Sequence, residues 1–327
     1  MVAALTLSGC GSTYLLQAAR GQWQMQRHRE PIARLLQSDA TDGALKRRLS
    51  GIRDAREFAS RSLGLPDNAS YTRYKVVGRP YVVWNVVAAP EFSLEPRHWC
   101  FPITGCIAYR GYFSEQAARR YAATLQRQGF DVMVGGVSAY STLGKFSDPV
   151  LDTMMRYGDL QLAGIVFHEL AHQLIYVRSD SEFNESFATV VENEGMARWL
   201  EVQGRGAELQ GFRRNAANEA VAEGLMRTTR AQLQSLYRQP LDNAAKRVRK
   251  QQLFQSLASS LPRGYEQWTQ SGLNNAYLVS SATYHDCVPA FERLLRAADA
   301  ALPRFYESVR ALARQSAAAR RSFCAAG

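Results

Sequence analysis

Two histidines and a glutamate in residues 167–172, FHELAH, have types and spacing suited to metal chemistry. His168 and His172 are four residues apart, so on an α-helix both imidazoles lie on one face and can bind the same metal ion. Glu169 lies about 100° round such a helix from His168, where it can reach a metal-bound water without binding the metal. This HExxH pattern therefore predicts a site that activates water, with Glu169 as general base.

The residues around this motif argue against a chance occurrence. Only five histidines are present in 327 residues, and Leu162, Val166 and Leu170 predict that the helix is buried. Imidazoles and a carboxylate are costly to bury unless they bind a partner, whereas a surface helix tolerates them freely. The motif is typical of zinc peptidases, so the sequence predicts a Zn²⁺ site.

A third protein ligand is expected on the next helix. Residues 184–188, NESFA, resemble the Asn-Glu-x-x-Ala motif of Glu-zincins, zinc peptidases whose third ligand is a glutamate, which implies that Glu185 completes the site. Only residues 173–184 separate His172 from Glu185, a shorter connection than in the well-known branches of that clan. Glu192, seven residues further on and on the same helix face, is the alternative, either as the ligand or as a carboxylate that accepts a histidine N–H.

A peptidase also needs a hydrogen-bond donor for the oxyanion. Tyr140, Tyr284 and His285 are candidates, and Tyr284 is preferred because tyrosine often has this role in Glu-zincins and it lies downstream of the ligands.

Removal of N-terminal residues requires an acidic group for the free amine of the substrate. Glu91 is a candidate if the preceding strand aligns the substrate by main-chain pairing, although it can equally be a strand end.

Two segments of different character precede the predicted site. Residues 14–70 carry a helical apolar stripe that ends at Gly64-Leu65-Pro66, and we predict an N-terminal helical hairpin there. Residues 71–150 are predicted to form a small β-sheet region. Its strands are Tyr81–Ala89, Ile107–Tyr112 and Phe130–Val137, and its crossover helix is capped by Ser114, spans 115–128 and is stopped by Gly129.

Residues 151–327 read mostly as helix, with a break at Gln239-Pro240 between two helices expected to be antiparallel. The fold class predicted from the whole chain is therefore α+β and zincin-like, in which a small sheet with a crossover helix precedes a mostly helical C-terminal part. The chain has a formal net charge of +11. Many basic residues stand on the helices after residue 206, where a solvated helix face explains them better than nucleic-acid binding does.

Residues 7–10, LSGC, match the lipobox of bacterial lipoproteins, in which the cysteine is lipidated. We therefore interpret residues 1–13 as a signal remnant and anchor, and we expect lipid on Cys10 to attach the protein to a membrane. The alternative is a cytosolic N-terminus that contains Cys10 by chance. Nine residues without Lys or Arg precede Cys10, so the true start of the signal is expected upstream. Gly11 favours sorting to the outer membrane, on the periplasmic side.

Four further cysteines form an even set suited to an oxidising compartment. Cys100 and Cys106 enclose a short segment with Pro102 and Gly105, so a local disulfide is plausible, and Cys287 then pairs with Cys324. The sequence alone leaves three connectivities open.

Distinctive stretches occur over most of residues 7–200 and again near the end. They are the lipobox at 7–10, LPDN at 65–68, YVVWNVVAAP at 81–90, RGYF at 110–113, AYSTL at 139–143, FHELAH at 167–172, FNESF at 183–187 and NNA at 274–276. In these stretches the chain resembles the predicted bacterial aminopeptidase family of lipoprotein-like zinc hydrolases. The resemblance implies a secreted, lipid-anchored zinc peptidase that acts on a peptide or protein substrate in the cell envelope.

A function of another class is also open. The chain can be a periplasmic lipoprotein whose metal site is structural and whose basic helices meet anionic lipid or cell wall. Glu169 argues against this alternative, because a structural site does not need a general base between its ligands.

Overall fold

The computed structural model describes residues 10–101, 105–139, 141–265 and 272–326. Within these ranges the chain is mostly helical and carries three small sheets. The helices are α1 Cys10–Gln26, α2 Ile32–Gln37, α3 Gly43–Ser62, α4 Glu115–Arg127, α5 Asp159–Leu174, α6 Ser181–Val202, α7 Gly206–Arg238, α8 Asn243–Ser260, α9 Asn275–His285, α10 Val288–Ala297, α11 Leu302–Ala313 and α12 Ala317–Ala325. The strands are β1 Glu30–Pro31, β2 Arg73–Lys75, β3 Val83–Pro90, β4 Trp99–Phe101, β5 Gly105–Ile107, β6 Arg110–Tyr112, β7 Phe130–Val137 and β8 Val150–Leu151.

The largest pairing joins β3 to β7 over eight residues, and β6 pairs with the other edge of β3. Both neighbours run antiparallel to β3, so α4 crosses over β3 on its way from β6 to β7. Ser114 caps α4 by accepting the amide N–H of Ala117, and Gly129 follows it with a positive φ of 84°. The predicted strand at Ile107–Tyr112 is divided, because β5 ends at Ile107 and pairs with β4 instead.

Strand β3 is buried on both faces, which explains why its sequence is apolar without alternation. Trp84, Val86 and Ala88 pack towards α4, whereas Val87 and Ala89 pack against Ala276 and Val279 of α9. Successive strand residues point to opposite faces, so the two helices cover the two sides of this sheet.

The N-terminal region differs from the predicted two-helix hairpin. Between α1 and α3 the chain forms β1 and the short helix α2, after His28 with a φ of 52°. Strand β1 pairs with β2, and β2 pairs with β8, so this region belongs to a sheet completed by residues 73–75 and 150–151. Pro31 explains the interruption, because proline is tolerated at the edge of a sheet and at a helix start but not within a helix.

Helix α5 lies at the centre of the main core, where it packs between α3 and α6. Phe167 of α5 and Phe187 of α6 are fully buried, and Phe187 stacks on Phe305 of α11. Helix α7 ends at Arg238 and α8 begins at Asn243, as the break at Gln239-Pro240 predicts. None of the helices in the described ranges has the length and apolar content to cross a membrane.

Two disulfides join Cys100 to Cys106 and Cys287 to Cys324, the arrangement that the short Cys100–Cys106 segment made plausible among the three that the sequence left open. The first closes the β4–β5 hairpin, and the second ties α12 to the start of α10.

Three basic residues of α7 and α8 do not form a purely solvated face. Lys250 pairs with Asp131 at 2.6 Å, Arg247 pairs with Glu91 at 2.6 Å, and Arg230 pairs with Asp286. The first two pairs attach α8 to the sheet region, so part of the basic charge is used within the fold.

Candidate metal centre

Helix α5 presents His168 and His172 on one face. The two imidazole planes are 84° apart, and their Nε2 atoms approach to 3.1 Å. Val166, Phe167, Leu170 and Ala171 are buried in the core. Because the helix is fixed on its apolar side, the positions of the two imidazoles follow directly from the spacing of four residues.

The short connection between α5 and α6 is held by Asn184. Its Oδ1 accepts the amide N–H of Val177 at 2.7 Å, and its Nδ2 donates to the carbonyl of the same residue at 2.8 Å. Ser179 has a φ of 65°, and Asp180 caps α6 by accepting the amide N–H of Phe183. This turn brings Glu185, the residue after Asn184, back to the histidines within one helical turn of the start of α6.

Glu185 completes a triangle of possible ligand atoms. Its Oε2 lies 3.3 Å from Nε2 of His168 and 3.5 Å from Nε2 of His172. Two ligands of a tetrahedral zinc ion, each about 2.0–2.2 Å from the metal, are separated by about 3.4 Å. The three residues therefore form a group that can hold a metal ion, with atom separations that fit tetrahedral coordination.

Glu192 supports this group from the other side of His168. Its Oε2 lies 3.0 Å from Nδ1 of His168, so Nδ1–H donates to the carboxylate and Nε2 is the nitrogen that faces the other two ligand atoms. Between the two roles that the sequence leaves open for Glu192, this geometry matches the supporting one. Nδ1 of His172 is buried and has no hydrogen-bond partner in the described part of the chain.

The charges around the centre favour a cation there. Burial alone lowers the pKa of His168, but hydrogen bonds to Glu185 and Glu192 raise it well above the ordinary value. Burial raises the pKa of Glu185, yet the nearby histidines, His172 foremost, lower it far below that of a free carboxyl. Both shifts describe positive charge held where the three ligand atoms meet, which is the place a metal ion would take.

Glu169 is half-buried, and its charge acts on tyrosines that the sequence did not associate with the site. After burial, the charges of Glu185 and Glu169 are among the causes that raise the pKa of Tyr109. Glu169 acts in the same way on Tyr71, whose hydroxyl is buried and lacks a partner among the described residues. Burial and Glu185 raise the pKa of Tyr176 as well. Tyr109 and Tyr71 come under the influence of these carboxylates through tertiary packing. Only Tyr176, four residues after His172 and with its ring 6.5 Å from that of His172, carries a local signal.

The predicted oxyanion donors have different outcomes. Tyr140 lies outside the described residues, and Tyr284 lies in α9 but its side chain is outside them too. His285 is described: its Nε2 lies 3.4 Å from Oε1 of Glu223. Burial lowers the pKa of His285 to about 4, against the charges of Asp286, Glu192 and Glu185. His285 therefore belongs to the electrostatic surroundings of the metal centre.

Glu91 is not available as an unpaired anchor for a substrate amine. Both of its carboxylate oxygens accept hydrogen bonds from Arg247, at 2.6 and 2.9 Å, and this pairing lowers its pKa. The cavity beside it is lined by residues of α8 and by Leu273, and by none of the residues of the metal centre. The prediction for Glu91 is therefore wrong, because α8 packs on the end of β3 and neutralises the carboxylate.

Two neighbouring cavities lie between the sheet region, the start of α6 and α9, and none of the proposed metal ligands lines either of them. One, of about 180 Å³, is lined by Tyr109 and by Gly135 and Gly136 of β7. The other is a groove of about 640 Å³ along the start of α6. Ala108 and Thr283 line both of them, so the cavities adjoin.

Comparison with models of known protein families identifies a match over most of the chain. A family model described as "Putative aminopeptidase" matches residues 13–324. No curated protein and no solved structure matches the chain.

Proposed function

The chain belongs to the family described as "Putative aminopeptidase", and from this membership and the geometry of the centre we propose that it is a zinc-dependent peptidase. The observation that carries the proposal is the triangle of His168, His172 and Glu185, with separations of 3.1–3.5 Å. Its donor set of two imidazoles and one carboxylate is the set found in catalytic zinc sites that keep a fourth position open for water.

In this proposal Zn²⁺, when bound, lowers the pKa of its water and polarises the peptide carbonyl. Glu169 accepts a proton from the attacking water and then transfers it to the nitrogen of the leaving amine. Glu192 holds Nδ1 of His168 by a 3.0 Å hydrogen bond and so keeps Nε2 directed at the metal position. The chain thus supplies the ligands, a base and a fixed histidine tautomer from two adjacent helices.

Tyr109 is the tyrosine we propose as donor to the oxyanion. It lines the smaller cavity, and burial together with nearby carboxylates raises its pKa. A phenol with a raised pKa stays protonated at neutral pH, so it can donate a hydrogen bond to developing negative charge. Tyr284 stays a prediction for the same role.

We also propose that the protein acts outside the cytoplasm, as an anchored enzyme of the cell envelope. The support is the pair of disulfides, Cys100–Cys106 and Cys287–Cys324, which persist in oxidising compartments. The lipobox residues before Cys10 and the side chain of Cys10 lie outside the described residues, so the lipid anchor rests on the sequence pattern.

The test compares the purified wild type with Glu169→Gln. We expect both proteins to contain equimolar zinc by elemental analysis, because Glu169 is not one of the ligands. Hydrolysis of a panel of aminoacyl-aminocoumarins should fall by roughly 100- to 10,000-fold in the variant, the usual contribution of a general base.

A second result would favour the other class of function. If zinc is retained and both proteins are inert on this panel and on a broad peptide library, the site is structural and the protein is a binding module.

A further inference from the structure

Helix α1 is attached to the rest of the protein by one face. The ring of Tyr14 packs edge-on against that of Tyr112, at a centroid distance of 5.5 Å. A Cβ at Gly21 would lie 2.1 Å from the ring of Phe113, so α1 approaches the sheet region closely there. Met25 is buried in the main core. Positions 14, 21 and 25 are seven and four residues apart, so they share one side of the helix.

The opposite face of α1 exposes apolar side chains to solvent. Leu16 follows Tyr14 by two positions and Trp23 follows Gly21 by two, which places each about 200° round the helix from a packed residue. Leu16 is 71% exposed, Trp23 57% and Leu15 54%. Five other large apolar side chains are exposed in the described part of the chain, and they are scattered between residues 76 and 248. Single exposed apolar residues are ordinary, whereas a cluster on one face indicates an interaction surface.

Two arginines border this apolar face. Arg20 and Arg27 are both exposed, and the guanidinium of Arg27 lies 4.3 Å from the centre of the Trp23 ring. None of the ion pairs in the described ranges involves either arginine, and residues 10–29 include no Asp or Glu. A helix face of leucine and tryptophan bordered by arginines has the composition of helices that lie in the surface of an anionic bilayer.

We propose that α1 lies on the surface of an anionic phospholipid bilayer. In this arrangement Leu16 and Trp23 enter the boundary between headgroups and acyl chains, and the two arginines lie beside the phosphates. A bilayer is favoured over a protein partner by position as well as by charge. Helix α1 begins at Cys10, so lipid on this residue would hold the helix at the same surface. The proposal goes beyond the peptidase function, takes support from the proposed location in the envelope, and adds a membrane contact that does not require the lipid.

Binding of the unlipidated chain to vesicles tests the proposal. The Cys10→Ala protein is sedimented with vesicles of phosphatidylglycerol and phosphatidylethanolamine in equal parts, and with vesicles of phosphatidylcholine alone. We expect it to bind the anionic vesicles more tightly, and less tightly as NaCl is raised to about 0.5 M, because salt screens surface charge. Leu16→Gln with Trp23→Gln should weaken this binding roughly tenfold or more. Arg20→Gln with Arg27→Gln should weaken it roughly 10- to 30-fold.

Two matched double variants serve as controls. Val202→Gln with Val248→Gln removes two exposed apolar side chains elsewhere, and Arg213→Gln with Arg214→Gln removes two exposed positive charges elsewhere. Neither should reproduce the loss of affinity. Because all the substituted side chains are exposed, every variant should melt within a few degrees of the parent, which thermal unfolding checks.

A fluorescent label locates the contact on the molecule. In the Cys10→Ala protein the four remaining cysteines form the two disulfides, so Leu16→Cys adds a single thiol for an environment-sensitive fluorophore. The emission of this label should shift to the blue on anionic vesicles, since it enters a less polar environment. The same label on Val202→Cys should show no shift.

Absence of binding to the anionic vesicles, or binding that neither α1 double variant weakens, overturns the proposal. A dimer that forms without lipid and is dissociated by Leu16→Gln with Trp23→Gln also overturns it, because a second copy of the chain would then cover this face. Sedimentation equilibrium without vesicles detects such a dimer. These outcomes do not bear on hydrolysis of aminoacyl-aminocoumarins, so they reject the membrane contact without rejecting the proposed peptidase function.

Discussion

A side chain at Gly164 would place its Cβ 2.6 Å from Oε1 of Glu192. Gly164 lies one turn before His168 on α5, and the second oxygen of the same carboxylate lies 3.0 Å from Nδ1 of His168. The missing side chain thus makes room for the carboxylate that orients the histidine. This relationship joins α5 to α6 behind the ligand triangle, on the side away from Glu185.

Substitution of Gly164 by alanine should separate metal binding from stability. Alanine favours a helix interior over glycine by about 1 kcal/mol, so the fold is not expected to be lost. The new methyl group displaces the carboxylate of Glu192, and zinc affinity should fall roughly 10- to 100-fold, as when a group that orients a ligand is removed. Competition with a chromophoric chelator measures the affinity.

Gly51→Ala on α3 is the matched control, because a Cβ at Gly51 meets no heavy atom within 4 Å. It should leave zinc affinity unchanged. Unaltered affinity in Gly164→Ala would contradict the role given to Glu192.

Substitution of Glu185 should lower zinc affinity more than substitution of Glu192. Glu185→Gln removes the anionic ligand, whereas Glu192→Gln leaves all three ligand atoms and keeps an amide oxygen near Nδ1 of His168. We therefore expect a larger loss of zinc affinity for Glu185→Gln, and a loss of about tenfold for Glu192→Gln. The same competition assay decides between them. A reversed order would make Glu192 the ligand.

Much of the candidate site is predictable because it depends on helix periodicity. The positions of His168 and His172 follow from a spacing of four residues, and Glu185 follows from its local motif. The role of Glu192 stays open in the sequence, because its spacing of seven from Glu185 gives the helix face but not the atom it meets. Gly164 carries a weak signal, since it stands four residues before His168 on the same face.

The tyrosines near the centre could not be predicted in the same way. Tyr109 comes from the segment between β5 and β6, and its approach to Glu185 depends on how the sheet, α6 and α9 pack together. For Glu91 the local structure was predictable, but its partner was not. It follows a strand as predicted, but Arg247 lies 156 residues away in sequence, and no local pattern reveals their pairing.

Asn184 should be important for stability because it closes the turn between α5 and α6. Its side chain makes two hydrogen bonds to the backbone of Val177, and it is 1% exposed. Asn184→Ala removes both bonds, and we expect the free energy of unfolding to fall by about 2 kcal/mol. Urea unfolding measures the change, with Asn193→Ala, further along α6, as the control. A loss no greater than that of the control would mean that the turn does not depend on this clamp.

Glu223 should make stability depend on pH. Burial, together with Glu219 and Asp286, raises its pKa to about 7 from an ordinary value of 4.5, although Ser281 opposes this. The folded state therefore binds a proton more tightly than the unfolded state does, and this group lowers stability as pH rises from about 4.5 to about 7.

Glu223→Gln removes that dependence while keeping an oxygen that can accept from the Ser281 hydroxyl. The melting temperature of the variant relative to wild type should consequently be higher at about pH 8 than at about pH 5. The comparison of two proteins cancels the contributions of groups that do not contact Glu223, because these groups titrate alike in both. A difference that is independent of pH would show that Glu223 is not buried as a neutral acid.

The two disulfides should contribute unequally to stability. Cys287 and Cys324 are 37 residues apart, whereas Cys100 and Cys106 are six apart. If a disulfide acts by restricting the unfolded chain, the longer loop is worth about 4 kcal/mol and the shorter about 2 kcal/mol. Urea unfolding of the two paired Cys→Ala variants, one for each disulfide, measures these values.

Helix α12 also brings Arg320 to Asp180, the cap of α6, so loss of the longer disulfide should weaken the support of the helix that carries Glu185. Zinc affinity should therefore fall in the Cys287/Cys324 variant and stay unchanged in the Cys100/Cys106 variant. Equal destabilisation, or a zinc site affected only by the Cys100/Cys106 variant, would contradict this assignment.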